Sequence, residues 1–449
     1  MRRDQEGITD FAAAAVEIPC AQHFLDNGLR VIVHESRLLP IVAVNLWYHV
    51  GSKNEQPGRT GFAHLFEHLM FEGSAHYDRG YFHPLQQAGA ALNGSTNADR
   101  TNYWEVVPTS ALELALWMES DRMGYLLPAL TREKFENQRD VVLNERRQNY
   151  ENRPYGMAGM ALMEALYPPD HPYHWMTIGV PDDLRAATLD DVHAFFRRYY
   201  HPRNASLAIA GDISSTEALA LARKYFEEIQ PGPSPDPVAA EAQLPAEIRL
   251  LLEDRVELPR LYLAWHSPAM FAPGDAEMDL VADLLANGKS SRLYQMLVYE
   301  RRIATDVSAV QNSREMSGVC QITATAAPSH TLGELSEGIQ AEIDRFLRDG
   351  ATSDEIERGL AQAEAHFIGR LQTLGGFGGK SDQLNAYAVF VNDPGYLPRD
   401  LERYRRATPA ALQSTAQQVL GSAGRVVLSV VPSGRADLAL PGSTSVEVS

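Results

Sequence analysis

The stretch Gln230-Pro-Gly-Pro-Ser-Pro-Asp-Pro237 divides the chain almost in half. Each of its four prolines fixes φ and lacks a backbone N–H, so the segment cannot lie inside a helix or a central strand. It reads as a semi-rigid linker that continues polar and alanine-rich to Glu247. The organisation it predicts is an N-terminal domain over 1–230, a linker over 231–247 and a C-terminal domain over 248–449.

The two halves echo each other. Leu39-Pro40 opens the alternating apolar run Ile41-Val-Ala-Val-Asn-Leu-Trp47, and 219 residues later Leu258-Pro259 opens Arg260-Leu-Tyr-Leu-Ala-Trp265. Ala187-Thr188 and Ala407-Thr408, 220 residues apart, each begin a helical pattern that leads to an apolar strand. A nearly constant shift over so long a span points to a duplicated unit. Strands, then helices, then a closing helix and strand predict an α+β fold. It has two homologous domains, each a mostly antiparallel mixed sheet with helices packed on one face. Helices are expected over 60–70 with Thr60 as N-cap, and over 109–123, 131–150, 190–199 and 290–302.

At 449 residues the chain is about three times the commonest domain length, which fits two domains. Its 45% hydrophobic and 22% charged content is ordinary for a folded globular protein. The 40 Lys and Arg against 58 Asp and Glu leave −18, which argues against a nucleic-acid partner and against an anionic membrane surface. The charge divides evenly: 21 basic against 30 acidic residues through position 230, and 19 against 28 beyond it. Cys20 and Cys320 are too few for a disulfide framework and read as isolated small hydrophobes. The apolar run over 11–16 is too short for a signal-peptide core, and no run approaches a membrane span. As it stands the chain is expected to be cytoplasmic, or periplasmic if a leader has been removed.

The chemistry sits in Gly61-Phe-Ala-His64-Leu-Phe-Glu67-His68-Leu-Met70. On a helix, residues i and i+4 share a face, so His64 and His68 can point two imidazoles at one ion with Glu67 beside them. This is the metalloprotease helix in reverse order, HxxEH instead of HExxH. Composition alone predicts about 0.06 chance occurrences of H-x-x-[D/E]-H in this chain. Two histidines and an acid on an otherwise apolar helix would also be costly to bury without a partner, and a metal ion meets that cost. Catalytic zinc takes three protein ligands and a water. A carboxylate on another helix is the natural third ligand. Glu145, three residues after Val142 and ten after Phe135, shares their apolar stripe, whereas Glu133, Glu136 and Asp140 fall off it. Spacing alone makes Glu145 a candidate and leaves other carboxylates open.

These features resemble the pitrilysin/insulysin family of inverted zinc peptidases, which includes the processing peptidases. In that family the zinc-completing glutamate follows HxxEH after 76 residues, and residues 69–144 between His68 and Glu145 number 76. The stretches Leu25-Asp-Asn-Gly-Leu-Arg-Val-Ile32, Asn93-Gly-Ser-Thr-Asn-Ala-Asp-Arg-Thr-Asn-Tyr103 and Gly288-Lys-Ser-Ser-Arg-Leu-Tyr294 are similar too. The resemblance implies that His64, His68 and Glu145 hold one Zn²⁺ per chain, with Glu67 as general base. It also implies that the segment around Ala91 and Asn93 is an edge strand that binds peptide substrate. A hairpin turn at Asn93-Gly94 is the competing reading of that segment. Many relatives carry a second glutamate seven residues before the ligand. Here that position is Gln138, which can hydrogen-bond but carries no charge.

The second half lacks the motif, since a shift of 219 takes His64 and His68 to Asp283 and Asn287. Active relatives carry an Arg and, seven residues on, a Tyr after the Ser-Arg-Leu-Tyr segment; here Val298 and Thr305 stand at those positions. Arg292 and Tyr299 fall one turn too early and are expected to pack within their helix. The absence implies a homologous partner subunit that supplies the Arg and Tyr, and a closed chamber between the two chains. A non-catalytic core subunit of a larger complex and a dedicated leader-peptide or precursor processing peptidase are the alternatives. The glycine-rich run Leu374-Gly-Gly-Phe-Gly-Gly-Lys380 is expected to be a flexible loop or hinge near the cleft.

Overall fold

The computed structural model describes residues 16–448; all but the last residue of the 11–16 run weighed above as a signal core lies outside the described residues. Two six-stranded mixed sheets organise the chain. The first takes β1 (Ala21–Phe24), β2 (Arg30–Glu35), β3 (Ile41–Tyr48), β4 (Ala91–Thr96), β5 (Thr101–Pro108) and β6 (Ala205–Gly211), in the order β1-β2-β6-β3-β5-β4. The second takes β7 (Ile248–Asp254), β8 (Arg260–Ser267), β9 (Ala304–Asn312), β10 (Gly318–Ala326), β11 (Val426–Pro432) and β12 (Thr444–Ser445), in the order β12-β7-β11-β8-β10-β9. The duplication is visible in the pairing. β2 lies parallel to β6 as β7 does to β11, and the β6-β3-β5-β4 run is antiparallel throughout, like β11-β8-β10-β9. Thr188 and Thr408 both cap their helices, each accepting a backbone N–H three residues on. Residues 231–247 between the sheets form no helix or strand.

Each sheet carries its own helices on one face, but the opposite face is not left to water. In the first sheet Val31, Val33, Val42, Val44, Leu207 and Ile209 face the home helices, while Ile32 and Ala208 point the other way. There they meet Leu384, Tyr387 and Ala388 of the helix Lys380–Phe390, which the second half contributes. The exchange is reciprocal. The helix Ala158–Leu166 of the first half buries Ala158, Ala161, Leu162 and Leu166 in one cluster with Leu250, Leu252, Tyr262, Leu428 and Val430 of the second sheet.

Several local expectations change. Asn93-Gly94 lies in the middle of β4, and the hairpin turns instead at Asn97, whose N–H reaches Arg100 O at 3.0 Å. The segment expected as a helix over 290–302 is mainly a π-helical stretch, Tyr294–Glu300. Arg292 packs there, paired with Glu355 at 2.7 Å, but Tyr299 is 70% exposed and does not. The glycine-rich run is not a free hinge. A Cβ at Gly375 would lie 2.5 Å from Val106 Cγ2 and 2.8 Å from Ala43 Cβ, so its backbone rests directly on the first sheet. No helix among the described residues is long and apolar enough to cross a membrane.

Candidate active site

The helix Phe62–Leu69 packs Phe62, Leu65, Phe66 and Leu69 into the core, with Phe66 stacked on Tyr200 at 5.0 Å between ring centroids. His64, Glu67 and His68 are the three positions of this helix that are not fully buried, and the i, i+3, i+4 spacing sends them out on one side. The helix does not begin at Thr60. Its N-cap is Gly61, at φ 86°, and Thr60 is taken up elsewhere: its hydroxyl donates to Asp183 at 2.7 Å and accepts the Val180 N–H at 2.8 Å. The carboxylate that satisfies the helix start is Glu55, which accepts the N–H groups of Gly61 at 2.9 Å and Ala63 at 2.8 Å. A Cβ on Gly179 would stand 2.4 Å from Gly61 Cα, so the segment lining the site runs hard against the helix start.

The helix Arg132–Arg146, capped by Thr131, crosses beside it and delivers Glu145 in its last turn. Glu145 Oε2 lies 3.6 Å from His64 Nε2 and 3.4 Å from His68 Nε2. Asn149, on the π-helical turn Arg147–Glu151, donates its Nδ2 to Glu145 Oε1 at 3.3 Å and so leaves Oε2 for the histidines. The ligand atoms of these three residues lie within 4.8 Å of one another, and no other such cluster occurs among the described residues.

The set fits zinc. Bonds of 2.0–2.1 Å in tetrahedral geometry place ligand atoms about 3.3 Å apart, near the separations found here. Burial, and then the neighbouring His68, pushes His64 down to about 4, so its imidazole is neutral with a lone pair to offer. Burial acts the same way on His68, but the Glu145 hydrogen bond and the charges of Glu67 and Glu145 outweigh it and raise the group. Glu145 is lowered, first by its hydrogen bond to His68.

Around these three residues, a cavity of about 240 Å³ is lined by His64, Glu67, Glu145, Ser95, Thr96 and Tyr150, among others. Glu67 is pushed up by burial. Gln138 turns its Oε1 to His68 Nδ1 at 3.3 Å and donates its Nε2 to the carboxylate of Glu72. The contacts of Glu55, Glu72, Asn149 and Tyr150 with the site do not follow from the motif. Glu72 alone leaves a trace, lying four residues past His68 on the same spacing. Ala91 and Asn93 are exposed on β4, at the edge of the first sheet, and Ser95 and Thr96 of the same strand reach the cavity. In the second half, Asn287 Nδ2 donates to Asp283 Oδ1 at 2.8 Å, so those two positions satisfy each other.

Comparison with known proteins points to a peptidase family. Residues 30–171 match the model described as Insulinase (Peptidase family M16), and residues 186–363 match that of the Peptidase M16 inactive domain. The chain is 30% identical over 355 residues to the zinc protease PqqE of Helicobacter pylori, covering 78% of this chain and 79% of that one. An uncharacterized zinc protease of Streptomyces coelicolor is 26% identical over 420 residues, 91% of this chain and 88% of that one. The crystal structure of a protease from Helicobacter pylori aligns with a TM-score of 0.84 at 26% identity, over 92% of this chain and 100% of that one. The periplasmic protease PqqL from Escherichia coli shares the fold, with a TM-score of 0.77 at 18% identity, over 94% of this chain and 49% of that one.

Proposed function

Because the chain belongs to the insulinase family of peptidases, M16, we propose that it is a zinc metalloendopeptidase in which His64, His68 and Glu145 hold one metal ion and Glu67 is the general base. The observation that carries this reading is the convergence of two imidazoles and a carboxylate beside a second, half-buried carboxylate in one cavity. Zinc bound there would supply a water of near-neutral pKa and polarise the scissile carbonyl. Glu67, its pKa raised by burial, takes the proton of the attacking water and returns it to the leaving amine. Gln138 holds the His68 ring by its far nitrogen. The free edge of β4 accepts an extended peptide as a further strand, with Ala91 and Asn93 alongside it, so that main-chain hydrogen bonds fix the scissile bond.

A division of labour completes the proposal. Val298 is half-buried, and Thr305 is exposed and hydrogen-bonded to Asp306 at 3.1 Å; neither offers a cation or a phenol. A homologous two-domain partner supplies the Arg and Tyr and closes a chamber that admits peptides and unfolded segments. A donor aimed at the developing oxyanion is worth roughly 3–4 kcal/mol, so the chain alone is expected to be weakly active.

Metal analysis should find one zinc per chain, lost in His68→Ala. Glu67→Gln should keep the zinc and lose hydrolysis. Hydrolysis by Glu67→Gln would remove the proposed base, and full activity of the chain without a partner would remove the division of labour.

A further inference from the structure

A groove of about 450 Å³ lies on the face of the first sheet turned away from the metal helix. Ala91 of β4, Trp104 and Val106 of β5, Leu39, and Gly375 and Lys380 from the second half are among its walls. In the sheet register Ala91 stands opposite Val106 and Asn93 opposite Trp104, so these four side chains share that face. The surface is apolar and open. Leu39 is 61% exposed, the adjoining Leu38 is 85% exposed, and the half-exposed Phe377 stands edge-on to Trp104 at 5.6 Å. Among the described residues, Lys380 is the only charged one lining the groove.

A peptide added to the free edge of β4 alternates its side chains across the sheet, so the residues beside Ala91 and Asn93 turn toward the groove. In the antiparallel sense, which continues the pairing of β4 with β5, the peptide runs N to C from Thr96 toward Ala91. Ser95 and Thr96 line the metal cavity. Ala91 is four positions from Ser95, which spans about 13 Å at 3.3 Å per residue.

We propose that this groove is a specificity subsite that takes a large apolar side chain about four residues to the C-terminal side of the scissile bond, and that Lys380 turns basic side chains away from it. The proposal rests on β4 being the substrate edge. An apolar side chain there covers surface that the chain leaves exposed, and a substrate Lys or Arg would be desolvated beside the Lys380 ammonium.

Peptides randomised at single positions, cut by the zinc-loaded full chain with products mapped by mass spectrometry, test it. Leu or Phe should exceed Lys by at least about tenfold in kcat/KM at positions three to five on the C-terminal side of the cut. Leu39→Asp should reduce or invert that preference while cleavage of peptides ending before those positions stays unchanged. A flat profile there, a preference confined to the N-terminal side, or a preference unmoved by Leu39→Asp overturns the subsite and leaves the peptidase reading standing. Binding of the same peptides to Glu67→Gln, read by fluorescence anisotropy, keeps the two claims apart. The same apolar preference in binding, from a wild-type chain that cuts nothing even when a homologous Arg- and Tyr-bearing subunit is supplied, supports the subsite and overturns the peptidase.

Discussion

In the proposed site the ring of His68 is oriented by what meets its other nitrogen, and that partner is Gln138, itself held by Glu72. The negative charge that the family resemblance leads one to expect at position 138 stands one side chain further out, on Glu72. Glu72→Gln should weaken zinc binding by about 10-fold to 100-fold, read by competition with a chromophoric chelator. Gln138→Glu in the Glu72→Gln background should restore much of that loss. Equal zinc affinity in wild type and Glu72→Gln would leave the outer carboxylate without a role. HxxEH is legible because helical geometry fixes which of its side chains converge, whereas Glu145, on another helix, is singled out by the 76-residue spacing of the family the chain resembles. Glu72 leaves only a trace in the helical spacing, because the helix ends at Leu69 and the turn beyond it decides where residue 72 points.

At the scale of elements, the metal helix depends on a carboxylate outside itself. Glu55 takes two N–H groups at the helix start; burial pushes its carboxyl up to about 8, outweighing those bonds, which lower it. Glu55→Ala should cost about 1–2 kcal/mol in urea denaturation and loosen zinc binding together with stability. A stability loss with zinc affinity unchanged would separate the cap from the site. The apolar residues Phe62, Leu65, Phe66 and Leu69 announce this helix in the sequence. Its start is not legible there, because Thr60 satisfies the capping rule locally while Asp183, 123 positions away, claims its hydroxyl. The π-helical stretch at Tyr294–Glu300 is hidden for a similar reason, since its apolar spacing passes for an ordinary helix.

For the whole molecule, the two halves are joined by a polar latch as well as by exchanged helices. Glu315, in the hairpin between β9 and β10, meets His49 at 2.8 Å and the buried Lys53, which also lies 3.5 Å from Asp99. Burial would raise Glu315, but the hydrogen bonds and charges of His49 and Lys53 hold it at about 2. A carboxylate depressed on folding stabilises above its unfolded pKa, near 4.5, and loses that contribution as pH falls toward 2. Glu315→Gln should therefore cost roughly 2 kcal/mol at pH 7, and its difference from wild type should shrink below pH 4.5 in urea titrations. A difference independent of pH would mean that the latch acts by shape alone. The repeat at Leu39-Pro40 and Leu258-Pro259 makes the two-sheet plan readable. The exchange is not, because the helix buries Asp382 and Asn385 together with Leu384, Tyr387 and Ala388, so its spacing marks no apolar face for a sheet from the other half.

That exchange also sets an order in time. The first sheet is complete in sequence at Gly211, yet the helix that covers its back is not finished until Phe390. At ribosomal speeds of about 5–20 residues per second, the nascent chain carries this sheet face, with Ile32 and Ala208 beside Asn45 and Asn102, uncovered for roughly ten seconds or more. That interval makes biosynthesis a stage at which the open sheet face invites aggregation, and a chaperone able to shield one sheet face is expected to raise the yield of folded chain.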